Sequence, residues 1–221
     1  MFKQIFELFK SDSLYEQAIG ECHEMLEIVR EMFNESTNSL RNSDTTEIPI
    51  DIYAMDKKIN EFERDVRRKV MTHLAVGGRE DLGSGLILVS VVIDIERIGD
   101  YTKNIYDLAL NHPKKLSAGS LEETLNDMEK STKEFLNKAI DAFKNQDIDL
   151  ARQLMTGYKK DISSISNEIV NSLVSGKNDE FSSDRASALC LYSRYLKRIA
   201  AHSRNLVSSI VNPFERIGYP E

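Results

Sequence analysis

Apolar residues return every three to four positions along most of the chain, the period that lays a single stripe down a helix. Leu14, Ala18, Cys22, Met25, Val29 and Phe33 form the first stripe, and Asp12 or Ser13 stands where a side-chain oxygen can cap it. A polar run, NESTNSLRNSDTTE, follows, then Pro49, a residue tolerated near a helix start. The second stripe is Ile52, Met55, Ile59, Phe62, Val66, Val70 and Leu74, which Gly77 and Gly78 stop. Asp81 can cap a third helix running through LILVSVVIDIERIGDYTKNIYDLAL to Pro113. The stretch NHPKKLSAGS has no apolar period and reads as a joint. Beyond it, Leu121, Leu125, Met128, Thr132, Phe135, Leu136, Ala139 and Phe143 define a fourth helix. The turns NQDID and SGKND then set off a fifth helix over Ile148–Val174 and a sixth over Phe181–Val211. No run alternates apolar and polar residues long enough to build a strand, so the pattern predicts an all-α fold.

Helices of about 25 to 30 residues, long against an average near 11 to 12, bury their stripes best as antiparallel neighbours. The chain also repeats itself. ERIGDYTKNI at 96–105 lines up with KRIAAHSRNL at 197–206, sharing Arg, Ile and Asn at three positions and close replacements at three more. Both copies end the third helix of a three-helix group. The expectation is two tandem antiparallel three-helix bundles related by an internal repeat, over residues 1–112 and 119–221.

Composition narrows the classes of function. Across 221 residues, 29 Lys and Arg stand against 36 Asp and Glu, for a formal charge of −7. That balance argues against a nucleic-acid binder relying on a basic face. Cys22 and Cys190 lie far apart with no CxxC, which suits a reducing cytoplasm and excludes a disulfide framework or a thiolate zinc site. The longest apolar stretch, Leu86 to Ile93, reaches about half the roughly 20 residues that a membrane-spanning helix needs. The start, MFKQIFELFK, is no secretory signal; Phe2, Ile5, Phe6, Leu8 and Phe9 make it a short amphipathic piece suited to packing on the bundle or docking on a partner or membrane surface.

Candidate chemistry centres on carboxylates. Glu96 and Asp100 are four apart on the third helix, which puts them on one face with Cβ atoms about 5 to 6 Å apart. Asp56 and Asn60 repeat the spacing on the second helix, and Glu63 continues the same side. Antiparallel packing of the two helices converges these oxygens into a site for a hard or borderline cation such as Mg, Mn, Fe or Zn. The apolar segment leading into Glu96 places its carboxylate near buried surface, where it needs a partner. On composition and spacing alone, a solvated acidic face with ion pairs to Arg97, Lys103 or a neighbouring helix is the plainer alternative.

DIERIGDYTKNI, preceded by MDKKINEFERDV on the helix before, resembles the signature of the PhoU family of phosphate-uptake regulators. The resemblance extends over the whole chain in helix order and length, with its specific motif confined to the first half. It implies two three-helix bundles, each with an E(D)xxxD pair that binds metal ions, often as multinuclear clusters. Matched by position, Glu96 and Asp100 are that pair, Asp56 and Asn60 the facing one, and Glu63 a further acid. The implied ions are Fe, Zn, Mn, Ni or Mg. Also implied are a homodimer, a cytoplasmic place at the inner face of the membrane, and contacts with a membrane phosphate transporter and a sensor kinase. The second half departs from the pattern, with Lys197 and Ala201 where the family has acids and Lys159 and Ser163 at the facing positions. There Arg194, Lys197, Arg198 and Arg204 form either a solvated basic face or a site for an anion or acidic partner.

Two rival classes use the same residues. One is a metal-dependent hydrolase or oxidase, which would need an open coordination position and an acid or base close by. The other is a metal-free helical scaffold. Against the first, His23, His73, His112 and His202 form no HxxxH or HExxH, and no Glu-x-x-His of the di-iron type occurs. Gly78 to Ser84 spells GxxxxGS without the Lys of a P-loop. His202 reads as a surface or capping residue, both cysteines as packing residues, and NPFERIGYPE as a cap over the bundle or a contact segment.

Overall fold

A computed structural model describes residues 11–45, 48–76, 79–112, 114–158, 162–176 and 179–220. Among them are seven α-helices and no strand: α1 (Ser11–Asn42), α2 (Ile52–Val76), α3 (Leu82–Asn111), α4 (Glu122–Asn145), α5 (Ile148–Tyr158), α6 (Ser164–Val174) and α7 (Ser183–Val211). The amphipathic start and the facing Lys159 lie outside the described residues. Helices α1, α2 and α3 pack mutually as the first bundle; α4, the α5–α6 pair and α7 form the second. The bundles join mainly where α3 runs antiparallel along α7.

The helix ends follow local chemistry. Asp51 Oδ1 accepts the Ala54 N–H at 3.0 Å, capping α2. At the end of α4, Gln146 adopts a left-handed φ of 52° while Asp147 N–H reaches the Ala142 carbonyl at 2.9 Å, a Schellman stop. Asp147 Oδ1 then accepts Leu150 N–H at 3.0 Å and starts α5. Asp81 precedes α3 but makes no side-chain cap; its carboxylate instead pairs with buried His73 at 2.8 Å. Asp12 and Ser13 fall within α1, so neither is its N-cap.

Two segments differ from the periodic reading. The first helix does not end near Phe33 but continues through the polar run to Asn42. Ser36 and Leu40 prolong the Val29–Phe33 stripe, and Ser36, Ser39 and Leu40 are all buried, so tertiary packing overrides polarity there. Arg41, 6% exposed, ends the run in a clamp across the bundles. Its Nε donates to Glu129 at 2.7 Å and its Nη2 to Asn126 at 3.0 Å; Glu122 and the Leu116 carbonyl complete the set. The fifth helix is likewise two helices, α5 and α6, with a π turn at 162–163 leading into the second. One such turn re-phases the stripe, so Ile162, Ser166 and Ile169 are buried in the same core as Ala151 and Leu154.

Gly99 sits where α3 presses on α2. A Cβ there would lie 2.9 Å from Ile59 Cδ1, so any larger residue would have to displace the end of that side chain. The packing of α3 on α2 brings the second-helix and third-helix carboxylates together.

Candidate functional site

The stripes of α2 and α3 face the core, which leaves Asp56, Asn60 and Glu63 of α2 beside Glu96 and Asp100 of α3 at the edge of the seam, all half-buried. Lys103 lies between the two rows. Its ammonium donates to Asp56 Oδ2 at 2.9 Å and stands 3.8 Å from Asp100 Oδ1, bridging the helices. Asn60 Nδ2 turns back to the Asp56 carbonyl at 2.9 Å. Arg97 donates to Asp100 Oδ2 at 2.8 Å, and Arg67 pairs with Glu63 at 2.8 Å. The ion pairs of the metal-free reading therefore form.

Glu96 is the most buried of the four carboxylates. Its side chain is 12% exposed, and Oε2 is buried without a hydrogen bond, with Arg97 Nε 3.4 Å away. Burial and the neighbouring Asp100 and Glu63 carboxylates push its pKa up to about 7, against the opposing pull of Arg97. A protonated Glu96 donates to Asp100, and an ionised one is held by Arg97 alone among the described residues. The donor set is all oxygen, which suits hard and borderline ions. As the side chains stand, no three His, Cys, Asp or Glu among the described residues are grouped closely enough to hold an ion.

Of the basic set, Arg194, Lys197 and Arg198 are neighbours, while Arg204 turns to the C-terminal tail. Lys197, at the repeat position of Glu96, donates to Asn167 at 2.8 Å, and burial with Arg194 and Arg198 nearby lowers its pKa. Arg198 lies over the Tyr101 ring and donates to its hydroxyl at 3.1 Å, while Arg204 donates to the Gly218 carbonyl at 3.0 Å. Arg194 is exposed. The tail is an ordered cap: Asn212 Nδ2 donates to the Tyr219 carbonyl at 2.8 Å, and Gly218 N–H reaches Ser208 Oγ at 2.8 Å.

A polar cluster between the bundles has no counterpart among the sequence motifs. His202 Nδ1 is 2.7 Å from Asp94 Oδ1, which also accepts Asn205 Nδ2 at 2.9 Å. The His202 ring stacks on Tyr101 at 5.8 Å. His202 is thus an inter-bundle residue rather than a surface or capping one. The aligned repeat places Tyr101 and His202 at equivalent positions, so the repeat meets itself across the α3–α7 seam. Thr102 and Ser203, equivalent again, turn their hydroxyls to the Ile98 and Ile199 carbonyls at 2.7 and 2.9 Å.

The PhoU domain model matches residues 22–109 and, in a second copy, residues 125–210. The chain belongs to the PhoU family. It is 25% identical over 213 residues to the phosphate-specific transport system accessory protein PhoU homolog 1 of Thermotoga maritima, covering 95% of this chain and 87% of that one. The PhoU homologue of Pseudomonas aeruginosa, with the same accessory-protein description, is 24% identical over 189 residues, 83% of this chain and 76% of its own. The fold agrees. The PhoU crystal structure from Streptococcus pneumoniae superposes with a TM-score of 0.77 at 20% identity over 91% of this chain and 95% of the other. PhoU from Pseudomonas aeruginosa gives 0.76 at 21% identity over 90% and 96%. Tandem PhoU-type helical bundles account for the repeat read from 96–105 and 197–206. No helix among the described residues is long and apolar enough to cross a membrane.

Proposed function

We propose that this PhoU-family chain is a cytoplasmic, non-enzymatic regulator of inorganic phosphate uptake, working at the inner face of the membrane by contact with a membrane phosphate transporter. The observation that carries the reading is the pair of PhoU domain matches across both halves of the chain. The accessory-protein descriptions of its relatives support it. A sensor kinase is the second partner and a homodimer the working form.

The proposal extends to a divalent or trivalent ion, Fe, Zn, Mn, Ni or Mg, held by Glu96 with Asp100 and Glu63, and with Asp56 and Asn60 across the seam. The buried Glu96 oxygen, with no hydrogen bond among the described residues and Asp100 and Glu63 raising its pKa, supports this, since a cation would offset the mutual repulsion of the three carboxylates. Such an ion contributes positive charge fixing α2 against α3. The chain's own residues do part of that already: Lys103 ties Asp56 to Asp100, and Arg97 screens Glu96. The second bundle, with Lys197 in place of the acid, holds no carboxylate-bound ion in this reading.

Two measurements test it. Membranes from cells bearing a tagged chain should yield the phosphate transporter on gentle extraction; its absence under conditions that preserve the transporter counts against the regulator reading. Elemental analysis of the native protein beside the Glu96→Ala, Asp100→Ala double variant should show stoichiometric metal lost in the variant. Equal metal content in both would remove the ion from these residues.

A further inference from the structure

Away from the carboxylate seam, the joint between the bundles builds a cavity of about 430 Å³ between His112, residues 114–117 and the start of α7. Its size falls within the range of small-ligand sites. Lys114, Lys115, Arg185 and His112 line it, together with Asp44 and Asp184.

The two carboxylates are engaged away from the three cations, Asp184 in part by His112. Asp184 is held by the Ser182 hydroxyl and by the main-chain N–H groups of its own helix end, which keep it below the usual carboxylate range. Asp44 accepts the Lys115 main-chain N–H at 3.4 Å. The Lys114, Lys115 and Arg185 side chains make no ion pair or hydrogen bond among the described residues. Three cations without an ion pair among the described residues thus face one cavity, in a chain of net charge −7.

His112 is fixed at the edge of the cavity. Its Nδ1–H goes to the Lys114 carbonyl, while Nε2 is buried with no partner. The wall is also preset. Leu116 N–H reaches the Leu40 carbonyl at 2.8 Å, Arg41 holds the Leu116 carbonyl, and Ala118 N–H reaches Glu122 at 2.6 Å, with Leu116 and Ala118 buried. A fixed wall spares a ligand the cost of ordering it.

From this juxtaposition we infer that the inter-bundle cavity is a binding site for a phosphate-class oxyanion, with the Arg185 fork and the two ammonium groups supplying charge. The inference rests on the cavity alone and stands apart from the metal and transporter readings. The same chemistry can arrive as free inorganic phosphate or as an anionic lipid headgroup.

The test uses the full chain at low ionic strength. Calorimetric titration with inorganic phosphate forms one arm and flotation with phosphatidylglycerol vesicles the other. Each is repeated on Lys114→Ala, Lys115→Ala, Arg185→Ala and on a control with the same charge change on exposed helix faces, Lys57→Ala, Lys130→Ala, Lys138→Ala. Binding in at least one arm should fall by at least about tenfold in the cavity variant and by less than about twofold in the control. The arm that responds identifies free phosphate or headgroup as the source. The single reversal Lys114→Glu should weaken the same arm, so the site is still tested if the triple variant folds poorly. No binding in either arm, or equal loss in cavity variant and control, overturns the site.

Discussion

Replacing Arg41 with methionine removes the cation from a clamp that holds α1 to α4 and to the joint. Arg41 is 6% exposed and meets Glu129 at 2.7 Å, where the Glu129 side chain is 16% exposed; Glu122, at 42%, is much wetter and contributes less. Taking one partner from a buried ion pair costs about 3–5 kcal/mol, because the charge left behind is uncompensated. For a chain of this size, 1 kcal/mol shifts Tm by about 2–4 °C, so Arg41→Met should melt about 6–20 °C lower. The deficit carries a pH signature. Burial already raises the Glu129 pKa and Arg41 opposes that rise, so without Arg41 the pKa climbs further. A carboxyl whose folded pKa is raised holds its proton more tightly when folded, so stability falls as pH rises through the window between its unfolded and folded values. Arg41→Met should accordingly lose more at pH 8 than at pH 5. Adding Glu129→Gln should recover part of the loss, with a coupling of about 0.5–3 kcal/mol in a double-mutant cycle. Denaturant unfolding at both pH values reads all three quantities. A loss below about 1 kcal/mol, or strict additivity of the two changes, would refute the clamp.

Three further outcomes follow from other parts of the molecule. In metal-free protein, the Glu96 pKa raised from 4.5 to about 7 means that stability falls between those pH values; Glu96→Gln should flatten that slope and add about 1–2 kcal/mol at pH 8 once solvent screening is allowed for, which melts at pH 5 and pH 8 with chelator can check. Gly99→Val forces a branched side chain against buried Ile59 and should cost about 1–3 kcal/mol in a denaturant titration, with partial rescue by Ile59→Ala; full stability would mean that α2 and α3 can part freely. Asp94→Ala strips the shared acceptor from His202 and Asn205 and should cost about 1–3 kcal/mol, with amide exchange rising on both α3 and α7; exchange confined to α3 would deny the inter-bundle role.

Much of this was legible from residue spacing. The stripes of α2, α3 and α7 run unbroken, and the repeat at 96–105 and 197–206 anticipated the paired bundles. The end of α1 was harder to read, because Ser36, Ser39 and Arg41 look like loop residues until a neighbouring helix buries them; the signal was that Ser36 and Leu40 keep the Val29–Phe33 period. The break between α5 and α6 leaves only a shift of phase in the stripe. At the seam, i, i+4 spacing brought Glu96 and Asp100 together and offered Arg97 and Lys103 as partners. It could not show Lys103 reaching Asp56 on another helix, nor one Glu96 oxygen left without a donor. Contacts such as Asp94 with His202 join residues 108 apart and carry no local signature.

Phosphate transport itself offers the most direct test of the central claim. Uptake of radiolabelled inorganic phosphate should be measured in phosphate-replete cells lacking this chain, and again after the intact chain is restored. A regulator of phosphate uptake predicts unrestrained uptake in its absence and return to the parental rate on restoration. Identical uptake in all three strains would contradict it.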